Sequence, residues 1–569
     1  MGRRRDRSPR DAPRARSRAR GLGARAGGAG ALRRVPDVGL PEAEGSVIES
    51  LLVANRGEIA CRIFRTARRL GLRTIAVFSD ADAAARHVRE ADEAVHIGPA
   101  AARESYLNIA RIIEAARASG AQAVHPGYGF LAENHEFAQA CLDAGLSFVG
   151  PPPAAIAAMG SKILAKRRLT AAGVPVLPGY AGSEQDLRRL ASEAERLGLP
   201  LIIKPAAGGG GKGMQIVRAA AELDTALAAA RRLAESAFGD GSLLLERYLP
   251  APRHIEVQVF ADSRGNLVHL GERDCSTQRR HQKLIEEAPA PGLPEPLRER
   301  LRAAALVVAR EIGYVSAGTV EFLLDGGEFY FMEMNTRLQV EHTVTEAVTG
   351  LDLVEWQLRV AAGEPLPLGQ SEVRFEGHAI EARVCAEDPE RGFLPSAGRL
   401  ALLEWPELPC VRVDAGFATG DTVPDCYDSL LGKIIAWAPE RGLASARLAD
   451  ALASTYCAGV HTNERWLRCA ASCDRRAFWK CGTTSRCSIR VRGSSPARRS
   501  PPPRRSSWRP LPCTLARVGP PRASPRRAAP GTSPMALPPT FRLGSPTASH
   551  GADTPTRWSW SSCTAGPPP

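Results

Sequence analysis

The sequence lacks the features that mark membrane-spanning and disulfide-stabilised proteins. No run of about 18 apolar residues occurs, so no transmembrane helix is predicted. The 13 cysteines include no Cys-x-x-Cys pair and follow no regular spacing. We therefore exclude a disulfide framework and expect the cysteines outside the C-terminal tail to be buried thiols in a reducing compartment.

Two common nucleotide-binding signatures are also absent. The first predicted strand, residues 51–54, is not followed by a Gly-x-Gly-x-x-Gly turn, which argues against a dinucleotide site. The glycine run at 208–211 is not a Walker A loop, because Lys212 precedes Gly213 rather than Ser or Thr, and because the run joins two predicted strands. A nucleotide site in this chain therefore has to be built in another way.

Acidic residues are scarce at both ends of the chain, which hides the character of its middle. The net charge is +14, but residues 1–36 contribute +10 and residues 466–569 contribute +16. Residues 37–465 therefore carry −12. This acidic balance argues against a nucleic acid as the main partner of the folded part.

Neither end of the chain has the periodicity of a packed domain. Residues 1–46 are rich in Arg, Gly, Ala and Pro, and we expect a disordered basic extension or a wrongly chosen start codon. A mitochondrial transit peptide is the alternative, although serine is scarce there. Residues 466–569 are rich in Pro, Arg and Ser and are expected to be disordered. The abrupt change near residues 465–470 leads to the hypothesis of a frameshift, which fails if neither other reading frame restores a matching sequence.

Between these ends, short apolar strands alternate with helices, which predicts an α/β fold. In residues 47–160 the alternation is typical of a parallel sheet, whose strand ends are the usual place for a ligand. Strands are predicted at 51–54, 74–79, 123–125, 147–149, 201–205, 215–217, 242–246, 253–259, 319–324, 329–334, 378–383, 398–403 and 434–437, and helices at 59–70, 162–172, 184–197, 220–237, 298–312, 351–362 and 444–455.

The central chemical prediction rests on an apolar hairpin with acids inside its strands. Glu321 lies in the first strand, and Glu333 and Asn335 share one face of the second because their positions differ by two. A two-residue turn would put Met332 opposite Glu321, whereas a three-residue turn would put Glu333 there. Facing carboxylates repel, and a divalent cation between them, Mg²⁺ or Mn²⁺, removes the repulsion. A solvated hairpin face is the alternative.

A glycine-rich loop follows the predicted strand that contains Lys204. Rows of bare backbone N–H groups bind phosphate, and glycine lets a backbone approach a ligand closely. We predict a mobile flap over nucleotide phosphates, with Gly209, Gly210 and Gly211 in the flap and Lys204 as a fixed contact. A plain flexible hairpin tip is the alternative. Residues 271–283 carry more charged and amide side chains than a solvated loop of that length usually does, and are assigned to the same site.

Seven segments of the chain carry a family resemblance. They are LVANRGEIACRI (52–63), HPGYGFLAEN (125–134), IKPAAGGGGKGM (203–214), RHIEVQV (253–259), ERDCSTQRRHQKLIEEAPAP (272–291), FYFMEMNTRLQVEHTVTE (329–346) and GHAIEARVCAED (377–388). In this order they resemble the biotin carboxylases, which are ATP-grasp enzymes found in the α-subunits of acetyl-, propionyl- and methylcrotonoyl-type acyl-CoA carboxylases. The resemblance covers residues 49–465, and long motifs in a fixed order are far more specific than a single glycine motif.

The resemblance implies a division of the chain. A Rossmann-like N-terminal domain is expected at 47–160, an ATP-grasp domain at 161–376 with a lid near 176–248, and a truncated C-terminal α/β domain at 377–465. The resemblance also implies a reaction, in which ATP activates bicarbonate as carboxyphosphate and the carboxyl group then moves to N1′ of biotin on a carrier protein.

The site residues implied by the resemblance fall into four groups. The ATP contacts are Lys162, Lys204, Glu246, Leu249, His254 and His281. The metal ligands are Glu321, Glu333 and Asn335, and the bicarbonate contacts are Lys283, Arg337, Gln339 and Val340. Glu341 is implied as the general base for bicarbonate, and Arg383 as the cation that stabilises the biotin enolate, alongside Lys283 and Arg337 in the catalytic set.

The resemblance further implies partners and a location. A biotin carboxyl carrier protein and a carboxyltransferase subunit are expected, together with a homodimer, and neither a nucleic acid nor a membrane is expected as a partner. Mg²⁺ or Mn²⁺, ATP and carrier-bound biotin are the expected cofactors and substrates. The expected location is the cytoplasm, with the mitochondrial matrix as the alternative.

Three other functions fit part of the sequence. A different ATP-grasp carboxylate or amine ligase, of the carbamoyl-phosphate or purine-pathway kind, fits the ATP motifs, but residues 335–342 match the biotin enzymes better. An inactive product, cut short in its last domain, fits the altered C-terminal sequence. A nucleic-acid binder fits the basic ends, and would lose binding when residues 1–46 and 466–569 are deleted.

Overall fold

The computed structural model describes residues 47–207, 213–279 and 281–472. The predictions for residues 1–46, for Gly209, Gly210 and Gly211, and for residues 473–569 lie outside the described residues.

A parallel five-stranded sheet opens the described chain, as predicted. Its elements are β1 (Ser50–Val53), α1 (Gly57–Arg69), β2 (Arg73–Ser79), α2 (Arg86–Glu90), β3 (Glu93–Gly98), α3 (Ile109–Ala118), β4 (Ala123–His125), α4 (His135–Asp143), β5 (Ser147–Phe148) and α5 (Pro153–Gly160). The strand order is β3-β2-β1-β4-β5, and β1 pairs in parallel with β2 and β4. The amide of Asn55, just after β1, donates to the carbonyl oxygens of Pro126 at 2.7 Å and Tyr128 at 2.8 Å. The carboxyl ends of β1 and β4 are thereby tied together.

A small antiparallel sheet with two covering helices occupies the range predicted for the lid. After α6 (Lys162–Ala171) come β6 (Gly179–Tyr180), α7 (Leu187–Leu197), β7 (Leu201–Pro205), β8 (Gln215–Val217), α8 (Leu223–Phe238) and β9 (Leu243–Arg247). The strand order is β6-β9-β7-β8. Leu190 of α7 and Leu227 of α8 are buried against Ile203 and Leu245 of the sheet, so the lid has an apolar core of its own.

The rest of the described chain contains one long antiparallel sheet of eight strands and three separate two-stranded sheets. Its first part contains β10 (Arg253–Ala261), β11 (Leu267–Arg279), β12 (Gln282–Ala288), α9 (Glu295–Glu311), β13 (Ser316–Asp325), β14 (Glu328–Asn335), α10 (His342–Thr349) and α11 (Leu353–Ala361). Its second part contains β15 (His378–Cys385), β16 (Glu387–Asp388), β17 (Leu394–Pro395), β18 (Gly398–Arg399), β19 (Leu402–Glu404), β20 (Val411–Ala415), β21 (Thr422–Val423), β22 (Leu430–Ala438), α12 (Arg441–Ala453), β23 (Tyr456–Ala458) and α13 (Glu464–Ser472). Short 3₁₀ turns lie at Asp80–Asp82, Ala102–Glu104, Ala220–Glu222, Gln370–Glu372 and Pro389–Arg391.

The long sheet crosses the predicted domain boundary at 376/377. Its strand order is β14-β13-β10-β11-β12-β15-β22-β20, and β12 pairs with β15 directly. Along β10, Ile255, Val257 and Val259 pack against the apolar face of α9, while the alternate residues Glu256 and Gln258 are buried on the other face. The sheet therefore has an apolar side and a polar side, and the polar side carries the candidate site.

Residues 271–279 and 282–283 form strands rather than a loop. Most of this segment belongs to β11, and its end enters β12. No strand was predicted here because the segment has no apolar alternation. The reason is that its buried side chains, such as Arg273, are satisfied by charged partners on neighbouring strands and not by an apolar core.

Ordered structure continues past the predicted boundary at 465. Helix α13 begins at Glu464 and ends at Ser472. Leu467, Ala470 and Ala471, at helical spacing, are buried against a cluster that includes Leu448 of α12. The helix closes the outer side of the C-terminal segment.

A buried ion network joins α1 to the second half of the chain. The fully buried guanidinium of Arg62 contacts Glu346 of α10 at 2.7 Å and Asp352, just before α11, at 2.8 Å. Arg412 of β20 contacts the other carboxylate oxygen of Glu346 at 2.8 Å. The network therefore connects α1 to α10, to the start of α11 and to β20.

We expect Arg62→Met to lower the free energy of unfolding by about 3–5 kcal/mol, because it leaves two carboxylates buried without their shared cation. Urea unfolding of the chain measures this. The matched control is Arg86→Met, which breaks a partly exposed pair with Glu90 one helical turn away and should cost less than about 1 kcal/mol. Equal losses in the two variants would contradict the assignment.

Among the described helices, none has both the length and the apolar content that crossing a membrane requires.

Candidate active site

The hairpin of β13 and β14 has a two-residue turn, and yet Glu333 lies opposite Glu321. Gly326 and Gly327 form the turn, both with positive φ, and the regular register continues to the pair Phe322 and Phe331. Met332 is then accommodated as a bulge, which shifts the register by one residue. The prediction that a two-residue turn places Met332 opposite Glu321 is therefore wrong, because the bulge absorbs the extra residue.

The facing pair belongs to a longer row of charged residues across four strands. Glu321 also lies opposite Glu256 of β10, and Glu256 lies opposite Arg273 of β11. Arg273 contacts Glu256 at 2.5 Å and donates to Gln339 at 2.8 Å. The sequence analysis did not single out Glu256, although its position among alternating apolar residues is a usable signal.

Lys283 neutralises three carboxylates at the centre of the site. Its ammonium lies 2.5 Å from Glu256, 2.7 Å from Glu321 and 2.7 Å from Glu341. Burial alone would lower the pKa of Lys283, but the three carboxylates outweigh burial and raise the pKa well above its ordinary value. Lys283 therefore remains a cation while it holds the hairpin and the loop after β14 together.

Glu321 is the most heavily contacted acid of the predicted metal set. Its oxygens accept from Asn335 at 2.7 Å and Gln339 at 3.0 Å, and His254 lies at 3.0 Å. Burial would raise the pKa of Glu321, but Lys283 and His254 hold it well below its ordinary value.

Glu333 is in the opposite electrostatic condition. Burial first, and then the charge of Glu321, raise the pKa of Glu333. The side-chain oxygen of Asn335 accepts from Arg337 at 3.2 Å, so this amide sits between the acids and the loop. Two carboxylates on facing strands with an adjacent amide oxygen are hard donors that suit Mg²⁺ or Mn²⁺. The residues present therefore fit a divalent cation.

Glu341 is shared between two cations from different strands. One oxygen accepts from Lys283, and the other accepts from Arg383 of β15 at 2.9 Å. Burial would raise the pKa of Glu341, but Lys283, Arg383 and Arg273 outweigh it and hold the pKa below its ordinary value. Arg383 also contacts Glu286 of β12 at 2.6 Å. Glu341 is thus kept as a carboxylate between the predicted bicarbonate contacts and the predicted biotin contact.

Arg337 is oriented by an acid from the N-terminal sheet. Its Nε lies 3.2 Å from Glu133, and Glu133 also accepts from the backbone N–H of Thr336 at 3.2 Å. Glu133 lies in the segment 125–134 and was not assigned a role from the sequence. It fixes the first residues of the loop after β14 against the N-terminal domain.

A second group of predicted residues lies at the base of the lid. Lys204 of β7 lies 2.6 Å from Glu246 of β9, and Lys166 of α6 contacts the other oxygen of Glu246. Burial lowers the pKa of Lys204 to about 8, and burial with the neighbouring charge of Lys204 lowers that of Lys166 to about 7. Lys166 was not predicted.

The remaining residues predicted to contact ATP lie on several other elements. Leu249 is buried just after β9, and Lys162 begins α6 with its backbone N–H bonded to the carbonyl of Ala206 at 3.2 Å. His281 sits in the β11–β12 turn, where burial and the charge of Lys204 lower its pKa. His254 belongs instead to the acid cluster, through Glu321. The roles assigned to all of these residues stay predictions.

Two buried glutamates face each other across β12 and β15, behind Arg383. Glu286 and Glu381 are a cross-strand pair, and each has one carboxylate oxygen that lacks a hydrogen-bond partner within the described part of the chain. Burial raises the pKa of both groups, although the charges of Arg383 and Lys433 act in the opposite direction. The folded chain therefore binds protons here that the unfolded chain releases.

We expect Glu381→Gln to stabilise the chain increasingly as the pH rises. A carboxyl whose folded pKa is raised contributes stability that is fully present below its unfolded pKa and is lost as the pH rises through the folded pKa, whereas glutamine does not titrate. The variant should unfold about 2–4 °C above the parent at about pH 9, with a smaller difference at about pH 5. The exposed Glu404→Gln of β19 is the control and should show no such trend in thermal unfolding. A difference independent of pH would contradict the raised pKa.

Three family models match consecutive parts of the chain. They are described as "Biotin carboxylase, N-terminal domain" over residues 47–156, "Carbamoyl-phosphate synthase L chain, ATP binding domain" over 161–369, and "Biotin carboxylase C-terminal domain" over 381–480.

Individual proteins agree with these matches. The mitochondrial methylcrotonoyl-CoA carboxylase subunit alpha of Arabidopsis thaliana is 56% identical over 428 residues, which are 75% of this chain and 58% of that protein. The chain thus spans little more than half of that relative. The biotin carboxylase of Allochromatium vinosum is 50% identical over 419 residues, which are 74% of this chain and 93% of that enzyme.

A solved structure places the fold in the same group. The biotin carboxylase domain dimer of Hydrogenobacter thermophilus 2-oxoglutarate carboxylase, in complex with MgADP, ADP and bicarbonate, is 44% identical with a TM-score of 0.74, covering 78% of this chain and 97% of that domain. The fold is that of an ATP-grasp enzyme. The chain belongs to the biotin carboxylase family, whose members are ATP-dependent ligases that use a metal ion and biotin.

Proposed function

We propose that this chain catalyses the ATP- and bicarbonate-dependent carboxylation of biotin held on a carrier protein, as the biotin carboxylase component of an acyl-CoA carboxylase. The observation that carries the proposal is the position of Glu341 between Lys283 and Arg383. One carboxylate is within reach both of the residues assigned to bicarbonate and of the cation assigned to biotin.

The lid base is proposed to hold ATP. Lys204 supplies positive charge for the phosphates, and Glu246 orients it from the neighbouring strand. Leu249 gives an apolar neighbour for the adenine, with its backbone available to read the base edge. Phosphoryl transfer needs positioning and charge neutralisation more than covalent help, which these groups provide.

The hairpin is proposed to hold Mg²⁺ or Mn²⁺ through Glu321, Glu333 and Asn335. When bound, such an ion neutralises triphosphate charge and orients the phosphates. Glu321 also lies 2.7 Å from Lys283 and 3.0 Å from His254, so these side chains orient its carboxylate.

Bicarbonate is proposed to bind beside this hairpin. The planar guanidinium of Arg337 matches the planar anion, and Gln339, Val340 and Lys283 complete its surroundings. Glu341 then accepts the bicarbonate proton, and the oxygen so freed attacks the terminal phosphorus of ATP to give carboxyphosphate and ADP.

The positive charges around Glu341 determine when this carboxylate can accept a proton. Lys283 and Arg383 keep it ionised, and for the same reason they make it a weak base. Proton transfer therefore requires these cations to be shared with the incoming bicarbonate and biotin. Arg383, once turned toward biotin, stabilises negative charge on the ureido oxygen and makes N1′ nucleophilic. N1′ then takes the carboxyl group of carboxyphosphate, and the phosphate that leaves accepts the N1′ proton.

The domain division, assembly and location are part of the same proposal. We propose domains at 47–160, 161–376 and 377–465, although the shared sheet joins the last two. A carrier protein and a carboxyltransferase are proposed as partners because the Arabidopsis thaliana relative is the alpha subunit of a carboxylase. The dimer in the Hydrogenobacter structure supports a homodimer. The mitochondrial relatives favour the matrix over the cytoplasm as the location of this chain. The location stays a prediction.

The test is phosphate release from ATP by the purified chain with Mg²⁺, in the presence or absence of bicarbonate and of free biotin as a probe. We expect release to require bicarbonate, and labelled bicarbonate to appear in carboxybiotin. ATP cleavage that requires an amine substrate instead would favour another ATP-grasp ligase. A chain that unfolds cooperatively and cleaves no ATP would favour the inactive product.

A further inference from the structure

A buried lysine on the C-terminal half of the long sheet contacts the loop assigned to bicarbonate. Lys433 of β22 is fully buried, and its ammonium donates to the backbone carbonyl of Val340. Lys433 lies directly opposite Arg383 of β15, so the two side chains share one face of the sheet. Arg383 contacts Glu341 and Lys433 contacts Val340, so two neighbouring strands hold two consecutive loop residues.

The Val340 carbonyl is turned away from the helix that follows it. The backbone N–H of Val344 bonds to the carbonyl of Glu341 at 3.3 Å, rather than to that of Val340 one residue earlier. A carbonyl in this place needs another donor, because buried backbone groups are rarely left unpaired. Lys433 is that donor, and it therefore determines how the peptide between Val340 and Glu341 is oriented.

The other side of Lys433 is held by the N-terminal domain. Glu58, in the first turn of α1, lies 3.4 Å from the Lys433 ammonium, and Tyr128 donates its hydroxyl to the same carboxylate. Glu58 is buried, and its second oxygen has no hydrogen-bond partner among the described residues. The contacts from Tyr128 through Glu58 and Lys433 to Val340 thus connect all three parts of the chain.

Valine has no polar side-chain atom, so a contact between Val340 and an anion has to use the backbone. The direction of a backbone N–H is set by what holds the flanking peptides. Burying an ammonium is costly unless it is paired, and an apolar residue at 433 would pack at lower cost. The burial of a lysine at position 433 is therefore explained by its hydrogen bond to the Val340 carbonyl, which orients the loop.

We propose that Lys433, held by Glu58, is a positioning residue that aims the backbone at Val340 and Glu341 for the binding of bicarbonate. This inference rests on the proposed function and adds to it residues that do not touch the reacting atoms. Its specific consequence is that bicarbonate affinity, and not ATP affinity, depends on Lys433.

The test compares the parent chain with Lys433→Met, which keeps an unbranched side chain, one atom shorter, and removes its charge. We expect the KM for bicarbonate in ATP cleavage to rise about tenfold or more, while the KM for ATP changes less than about threefold. The matched control is Arg56→Met, which removes another buried cation between the N-terminal domain and Tyr427 but does not contact residues 337–341. It should lower thermal stability without moving the KM for bicarbonate.

Glu58→Gln keeps the test decisive if Lys433→Met does not fold. It removes the negative charge that holds the ammonium and should raise the KM for bicarbonate in the same direction, by a smaller factor. A folded Lys433→Met, or a folded Glu58→Gln, with the parent's KM for bicarbonate would overturn the inference.

Calorimetric titration of bicarbonate into each chain with MgADP separates this inference from the proposed function. If the parent chain binds bicarbonate but does not cleave ATP, the proposed reaction is contradicted. Weaker bicarbonate binding by Lys433→Met would in that case still support the positioning role. Equal bicarbonate binding by the parent and Lys433→Met sinks the positioning role, whatever the ATP assay shows. A parent that binds no bicarbonate overturns both.

Discussion

Glu341→Gln is expected to abolish biotin carboxylation while the KM for ATP stays within about threefold of the parent value. A positioned general base contributes about 10²–10⁴-fold to a rate, and glutamine cannot accept the bicarbonate proton. The change preserves the shape of the side chain, and its one remaining oxygen can still accept from either Lys283 or Arg383. ATP affinity is spared because the Lys204 and Glu246 pair lies at the lid base and is not among the contacts of Glu341.

Steady-state phosphate release with varied bicarbonate and ATP measures this effect. Glu328→Gln is the matched control, because it alters an exposed glutamate at the tip of the neighbouring hairpin and should keep the parent activity. Residual bicarbonate-dependent activity above about a tenth of the parent rate would rule out Glu341 as the base. A parallel rise in the KM for ATP would point to a collapsed site instead.

Arg383→Ala is expected to slow carboxyl transfer to biotin about 10²–10³-fold, while biotin-independent, bicarbonate-dependent ATP cleavage falls less than about tenfold. The guanidinium lies between Glu286 and Glu341, so its removal takes away the cation assigned to the ureido oxygen. Lys283 still neutralises Glu341 in the variant, and the bicarbonate step keeps its main cation.

Parallel assays of carboxybiotin formation and of phosphate release separate the two steps. The matched control is Arg441→Ala, because Arg441 contacts Glu287, the residue next to Glu286 on the opposite face of β12. It should affect both steps only through stability. If Arg383→Ala reduces both rates by the same factor, the assignment of Arg383 to the biotin step is refuted.

Much of the fold follows from local sequence pattern. The strand at Ala123–His125 and the strand at Leu201–Pro205 coincide with the predicted ranges, because each is a short apolar run bounded by turn residues. The segment 271–283 was missed as strand because its inward side chains are polar. The hydrophobic period that marks a strand depends on an apolar core, and here the buried face meets charges instead.

The candidate site was predictable where a motif named its residues and unpredictable where contact depends on tertiary structure. Lys283, Glu341 and Arg383 were predicted and lie in direct contact. Glu133 and Lys433 were not predicted, because they reach the same loop from distant parts of the chain. Glu133 lies 203 residues before Thr336, and Lys433 of β22 lies 93 residues after Val340.

The hairpin shows the limit of register prediction from turn length. A two-residue turn and a three-residue turn were both considered, and Met332, the partner of Glu321 that the two-residue turn implied, was wrong because a bulge at Met332 lies farther along the strand. A bulge leaves no mark in the alternation of Phe329 to Met334, where most residues are apolar. Its effect is nevertheless decisive, since it brings Glu333 opposite Glu321.

The pairing of β12 with β15 constrains how this protein can be recombined. An exchange of everything after residue 376 with a relative would have to reproduce the ladder that places Arg383 beside Glu286, including its side-chain alternation. A fragment that ends before β15 would present β12 as an unprotected edge with free N–H and C=O groups, a template for association between chains. The part of the chain before β15 is therefore not an independent folding unit. Its solubility as a fragment would depend on another strand that pairs with β12.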